Sequence, residues 1–164
     1  MGELRRVTMG KTLLSKNTAF ILFLLFGMAL ILLMIADVLY AATPQISSDN
    51  HTVTLNSDGS LWTWGNNDYG QLGRDSGTER CNGNEAGIVV TNVPCSTSPG
   101  QVGSNWVFVS AGAFHTAAIK NDGTVWTWGR NSGGQLGRNS NETCAGGIAC
   151  STSPGQVTAP AGIT

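Results

Sequence analysis

Alternating hydrophobic and polar positions, folded back at an Asp-Gly pair, set the first recognisable pattern in the chain. His51, Val53 and Leu55 point one way and Thr52 and Thr54 the other, the period of a half-buried strand. Asn56-Ser57-Asp58-Gly59 follows, and Asp-Gly supplies the positive φ that a tight hairpin needs. Leu61-Trp62-Thr63-Trp64 then returns with residues suited to a pleated surface. The prediction is a β-hairpin. Residues 65–74 hold three glycines and no helical spacing of apolar positions, so they read as an ordered loop.

The pattern returns almost residue for residue 64 positions later, residues 51–74 matching residues 115–138. Trp62 and Trp64 become Trp126 and Trp128, and Gln71-Leu72-Gly73-Arg74 becomes Gln135-Leu136-Gly137-Arg138. A second repeated stretch, Ser-Thr-Ser-Pro-Gly-Gln-Val at 96–102 and 151–157, has an offset of only 55, so a nine-residue length change lies between the anchors, where loops vary. Residues 44–48, 99–102, 106–111, 115–120 and 124–129 read as further short strands. Ile88-Val89-Val90 reads as a small extra strand or a packing patch. Residues 154–157 read as the start of another unit that breaks off mid-repeat. Four short strands per unit, with apolar residues on both strand faces, predict an all-β chain of propeller blades stacked face to face, about two repeats in an incomplete ring. A two-layer sandwich is the runner-up.

The motif His-Thr-x-x-Leu/Ile-x-x-Asp-Gly-x-Leu/Val-Trp-x-Trp-Gly-x-Asn-x-x-Gly-Gln-Leu-Gly resembles the repeat of the regulator of chromosome condensation family over roughly residues 44–157. The resemblance implies a β-propeller whose complete members usually have seven blades. On this reading residues 43–164 carry the repeats, divided at about 44–98 and 99–157. The family's best-known member exchanges guanine nucleotide on a small nuclear GTPase and sits on chromatin. That role does not carry over, because the N-terminal segment and the charge pattern both argue against it.

Residues 19–36 form an uncharged, almost wholly apolar run, preceded by Arg5, Arg6, Lys11 and Lys16 and followed by Asp37. Residues 1–42 therefore read as a secretory signal peptide or an N-terminal membrane anchor, a hydrophobic helix ahead of the repeats. Basic residues before the run place residues 43 onward outside the cytoplasm, in the periplasm or the extracellular space, with membrane contact only through residues 19–36 if these are retained. The whole chain carries a net charge of −1. Without its basic leader the remainder holds five basic and eight acidic residues and no clustered Lys/Arg face, which argues against nucleic acid.

Cys81, Cys95, Cys144 and Cys150 fall two to each variable loop. An even count in an exported chain reads as structural disulfides. Three pairings exist, of which Cys81 with Cys95 and Cys144 with Cys150 keep each bridge within its loop. No Cys-x-x-Cys spacing favours zinc. His51 and His115 each open a strand at the same place in their repeat, and with Trp62, Trp64, Trp126 and Trp128 they are assigned to the repeat core rather than to metal, base or sugar binding. Gly70-Gln71-Leu72-Gly73 lacks the lysine and the strand-to-helix setting of a phosphate loop. Asp75, Glu79 and Glu85 match no calcium-loop spacing. Asn50-His51-Thr52 and Asn141-Glu142-Thr143 fit the glycosylation pattern.

With no catalytic constellation, cofactor motif or metal set, the sequence is read as a non-catalytic exported repeat protein. Its disulfide-stapled loops would bind another protein or a surface polymer, and a homo-oligomer could complete the propeller. The alternatives are a fragment of a longer propeller with no function of its own, and a hydrolase using Asp75, Glu79 or Glu85.

Overall fold

The computed structural model describes residues 24–26, 28, 41–85 and 88–158, and divides the chain into a unit of Met1–Tyr40 and a unit of Ala41–Thr164. In the first unit Leu24, Leu25, Phe26 and Met28 are helical and exposed. Among the described residues no helix is long and apolar enough to cross a membrane. The rest of the leader expected at residues 1–42 lies outside the described residues.

The second unit is built of two five-stranded antiparallel sheets. The first contains β1 (Gln45–Ser48), β2 (His51–Leu55), β3 (Leu61–Asn66), β4 (Arg80–Glu85) and β5 (Ile88–Gly103), in spatial order β1-β2-β3-β5-β4. The second repeats that order with β6 (Trp106–Ala111), β7 (His115–Lys120), β8 (Val125–Arg130), β9 (Glu142–Cys144) and β10 (Ile148–Gln156). The hairpin read from the alternation is β2–β3, with Thr52 opposite Trp64 and Thr54 opposite Trp62. Gly59 closes its turn with φ of +75°, where a side chain would be strained. Each sheet is a propeller blade, and the two do not close a ring.

Three expectations need correcting. The unit boundary does not fall at residue 98. Gly100, Gln101 and Gly103 pair with Thr63, Trp62 and Leu61, so Pro99–Val102 closes the first sheet instead of opening the second. Likewise Gly155 and Gln156 pair with Thr127 and Trp126, and the stretch read as the start of a broken-off unit completes the second sheet. Each blade also has five strands rather than four. The added strand, β4 or β9, comes from the variable loop and pairs with the first half of β5 or β10.

The core lies between the sheets. Val53, Leu55 and Leu61 of the first pack with Trp106, Val109, Ala118 and Trp128 of the second, and Ala42 joins the cluster. The innermost strands run beside one another: Gln45 Oε1 accepts from Val109 N at 3.2 Å, Gln45 Nε2 donates to the Val107 carbonyl at 3.3 Å, and Ala111 N donates to Ser47 Oγ at 2.9 Å.

Candidate functional site

The loop after each hairpin is fixed by its own side chains. Asn67 accepts from Leu72 N at 3.1 Å and donates to the Arg74 carbonyl and to Ser76 Oγ. Asn131 does the same for Leu136, Arg138 and Ser140. Thr63 and Thr127 bond the carbonyls of Leu72 and Leu136 at 2.8 and 2.7 Å. The Gln-Leu-Gly-Arg repeat is therefore a structural bracket, its Leu and Arg positions bonded within their own blade and the Gln71 carbonyl turned to the second sheet.

Its arginine explains the second anchor. Arg74 donates to the carbonyls of Thr63 and Ser98 at 2.8 and 3.2 Å, and Arg138 to the Thr127 carbonyl and Ser151 Oγ, both at 2.8 Å. Each guanidinium lies over a glycine, Gly100 or Gly155, where any Cβ would collide with it. Burial lowers the Arg74 pKa from its ordinary value, with Asp75 and Glu79 opposing. Between Ser96 and Gly100, and again between Ser151 and Gly155, three residues face one on the neighbouring strand, so Ser-Thr-Ser-Pro-Gly is a β-bulge.

At the bulge a glutamate ties down the outer hairpin. Glu79 accepts from Thr97 N at 3.0 Å and from the Thr97 hydroxyl, and Glu142 accepts from Thr152 N and Oγ1, both at 2.7 Å. The Thr97 hydroxyl, then its amide, holds the Glu79 carboxyl below its usual range. Asp75 accepts from Gly77 N at 2.8 Å in its own turn. Asp75 and Glu79 are thus spent on local structure, and the side chain of Glu85 lies outside the described residues. Among the described residues no three His, Cys, Asp or Glu side chains gather as metal ligands.

The hairpins held by these glutamates are β4–β5 and β9–β10. Disulfides join Cys81 to Cys95 across the first and Cys144 to Cys150 across the second, with separations of 14 and 6 residues. Most of the nine-residue length difference between repeats therefore sits in one hairpin, whose described residues Asn82, Gly83, Val89, Thr91 and Asn92 are exposed. At its base is a groove of about 390 Å³ lined by Asn67, Arg74, Asp75, Ser76, Arg80, Pro94 and, from the second sheet, Thr152. Burial raises the Asp68 pKa, with Arg80 opposing.

The residues assigned to the repeat core divide between two situations. Trp128 and His51 are fully buried at the joint between the sheets, whereas Trp62, Trp64, Trp126 and His115 are half-buried. His51 Nε2 lies 2.7 Å from Thr116 Oγ1, which donates to the Gln71 carbonyl at 2.9 Å, and Trp128 Nε1 donates to that carbonyl at 2.9 Å. Thr116 has one proton and spends it on Gln71, so His51 carries its proton on Nε2. His51 Nδ1 is buried without a partner among the described residues, and burial lowers the imidazole pKa to about 4, partly offset by Asp49 and reinforced by His115. Gln71 was the joint's undetected member, since it acts through its backbone carbonyl, which any residue possesses.

Comparison with known proteins places this geometry. The model for the regulator of chromosome condensation (RCC1) repeat matches residues 58–119 and 122–163, and a second model of the same repeat matches residues 106–135. The chain is 38% identical over 93 residues to the X-linked retinitis pigmentosa GTPase regulator homolog of Caenorhabditis elegans, covering 54% of this chain and 6% of the relative. It is 35% identical over 94 residues to the ultraviolet-B receptor UVR8 of Arabidopsis thaliana, covering 57% of this chain and 19% of the relative. The chain thus spans less than a fifth of the length of these curated relatives. Among solved structures it is similar to Prp20p from Saccharomyces cerevisiae, with 24% identity and a TM-score of 0.49 over 73% of this chain and 24% of that one.

Proposed function

Because the chain belongs to the regulator of chromosome condensation (RCC1) repeat family, we propose that its two blades are a rigid, non-catalytic scaffold that presents the disulfide-clamped hairpins to a binding partner. The observation that carries this reading is the contrast between loops. The loops at 65–74 and 129–138 are tied down onto the blades, the first also through the Gln71 carbonyl to the second sheet, whereas among the described residues the disulfide and Glu79 hold the β4–β5 hairpin at its base and leave Val89 70% exposed. Loops held on a rigid frame are where binding residues concentrate. Two disulfides, with no free cysteine among the described residues, suit an oxidising compartment. That supports export and makes an extracellular protein or surface polymer the partner in view. The binding properties to Gsp1p and histones named for Prp20p are not transferred, since the repeat region bears a net negative charge without a basic face.

Site-specific photo-crosslinking tests the reading. A crosslinker at Val89 in the full chain, irradiated on the producing cells, is expected to give a discrete adduct. One at Ser57, in the exposed turn between β2 and β3, is expected to give none. Equal labelling at both positions, or none at Val89, contradicts the proposal.

A further inference from the structure

Each sheet has two faces, and the joint uses one face of each. On the first sheet the joint buries His51, Val53, Leu55, Leu61 and Thr63. The same positions on the second sheet are His115, Ala117, Ile119, Val125 and Thr127. There Val125 is 41% exposed and His115, Ala117 and Ile119 are only half-buried. On the second sheet the joint buries Thr116, Ala118 and Trp128, whereas their equivalents Thr52, Thr54 and Trp64 are half-buried on the far side of the first sheet. Among the described residues the chain therefore bears both halves of its own joint incompletely covered, at opposite ends of the stack.

The polar groups match as well. Trp128 Nε1 has the Gln71 carbonyl, but Trp64 Nε1 has no hydrogen-bond partner among the described residues. Gln71 is fully buried against the second sheet, and its counterpart Gln135 is exposed. A Cβ on Gly70 would lie 2.5 Å from Thr152 Cα, so that loop is filled by the neighbouring blade, whereas a Cβ on the equivalent Gly134 would meet nothing within 4 Å.

We propose that the open face of the second sheet receives the open face of the first sheet of a second copy of this chain, head to tail. Trp64 Nε1 then donates to the Gln135 carbonyl, and Thr52 sits between His115 and that carbonyl. The occupant is a second copy because the face calls for an indole opposite Gln135 and a threonine opposite His115, and this chain carries both at the required 64-residue offset. Ala42 stands where the second sheet has Trp106, so the joint between copies lacks that ring and is weaker than the joint within the chain. A contact between unlike faces propagates, so the products are rings or filaments rather than isolated twofold dimers.

Native mass spectrometry of the full chain in non-ionic detergent tests this. Trp64→Glu blocks one face and Val125→Glu the other. The wild-type chain is expected as multiples of its mass and each variant alone as a single chain. An equimolar mixture of the two variants is expected to give a dimer of one of each, because only one intact pair of faces remains. If circular dichroism shows that Trp64→Glu unfolds, Thr52→Arg blocks the same face. A wild-type chain that stays single, variants that keep the wild-type mass, or a mixture without the mixed dimer each overturn the proposal. The mixed dimer also separates this joint from association through residues 19–36, which both variants retain.

Discussion

His51 Nε2 meets Thr116 Oγ1 at 2.7 Å across the joint between the two sheets, with neither residue exposed by more than 1%. The site favours a neutral imidazole, since the far nitrogen, Nδ1, is buried with no partner among the described residues to stabilise a second proton. Burial lowers the folded-state pKa from 6.5 to about 4, so the stability held by neutral His51 is complete above about 6.5 and is lost as pH falls towards 4. The loss approaches about 3 kcal/mol at the acid end. Urea unfolding from pH 7 to pH 4 should show this slope in the wild type and a flatter one in His51→Gln. Equal slopes would remove His51 from the account.

The two repeat copies make an internal control for the tryptophans. Trp128 is fully buried and bonded to Gln71, whereas Trp64 at the same repeat position is half-buried. Trp128→Ala should cost about 3–5 kcal/mol as a buried large-to-small change. Trp64→Ala should cost clearly less in the separated chain. Unfolding midpoints of the two variants compare them directly.

Gly100 and Gly155 should resist substitution because of the arginine above each. A methyl group at either position displaces the guanidinium and strips the Thr63 or Thr127 carbonyl of its donor. Gly100→Ala should destabilise by about 1–3 kcal/mol, the cost of leaving such a group unpaired. At Gly77, where a Cβ would meet nothing within 4 Å, alanine acts only through its φ of +67°. Thermal unfolding of Gly100→Ala and Gly155→Ala should therefore show paired losses.

Removal of the Cys81–Cys95 bridge, which spans 14 residues, should cost about 3 kcal/mol if chain entropy dominates. Cys144–Cys150 closes only 6 residues and should cost less. Paired Ser variants, followed by calorimetry, give the order.

Much of this blade could be read in the chain because its hairpins announce themselves locally. The alternation at residues 51–64 and Asp58-Gly59 specify β2, β3 and their turn without distant information, and the second copy repeats them. The outer strands are less audible. β4 reads Arg-Cys-Asn-Gly-Asn-Glu, which has no alternation to detect, and it exists because β5 offers a paired edge and Cys95 a bond. The unit boundary was misplaced because Gly100–Gly103 pairs with residues some forty positions earlier, a choice that proximity to Trp106 disguises. The tie made by Glu79 was hidden from the sequence because its partner, Thr97, lies 18 residues away. The joint is built from a backbone carbonyl at Gln71, which leaves no side-chain signature.

The most direct test of the scaffold-and-hairpin account shortens the β4–β5 hairpin to the length of Cys144–Cys150 and measures two quantities on the same protein. These are its unfolding midpoint and its affinity for the partner captured at Val89. The account predicts a midpoint near that of the wild type, because the joint and both arginine brackets remain, together with loss of binding. Undiminished affinity in the shortened chain would contradict it, and would place recognition on the blades themselves.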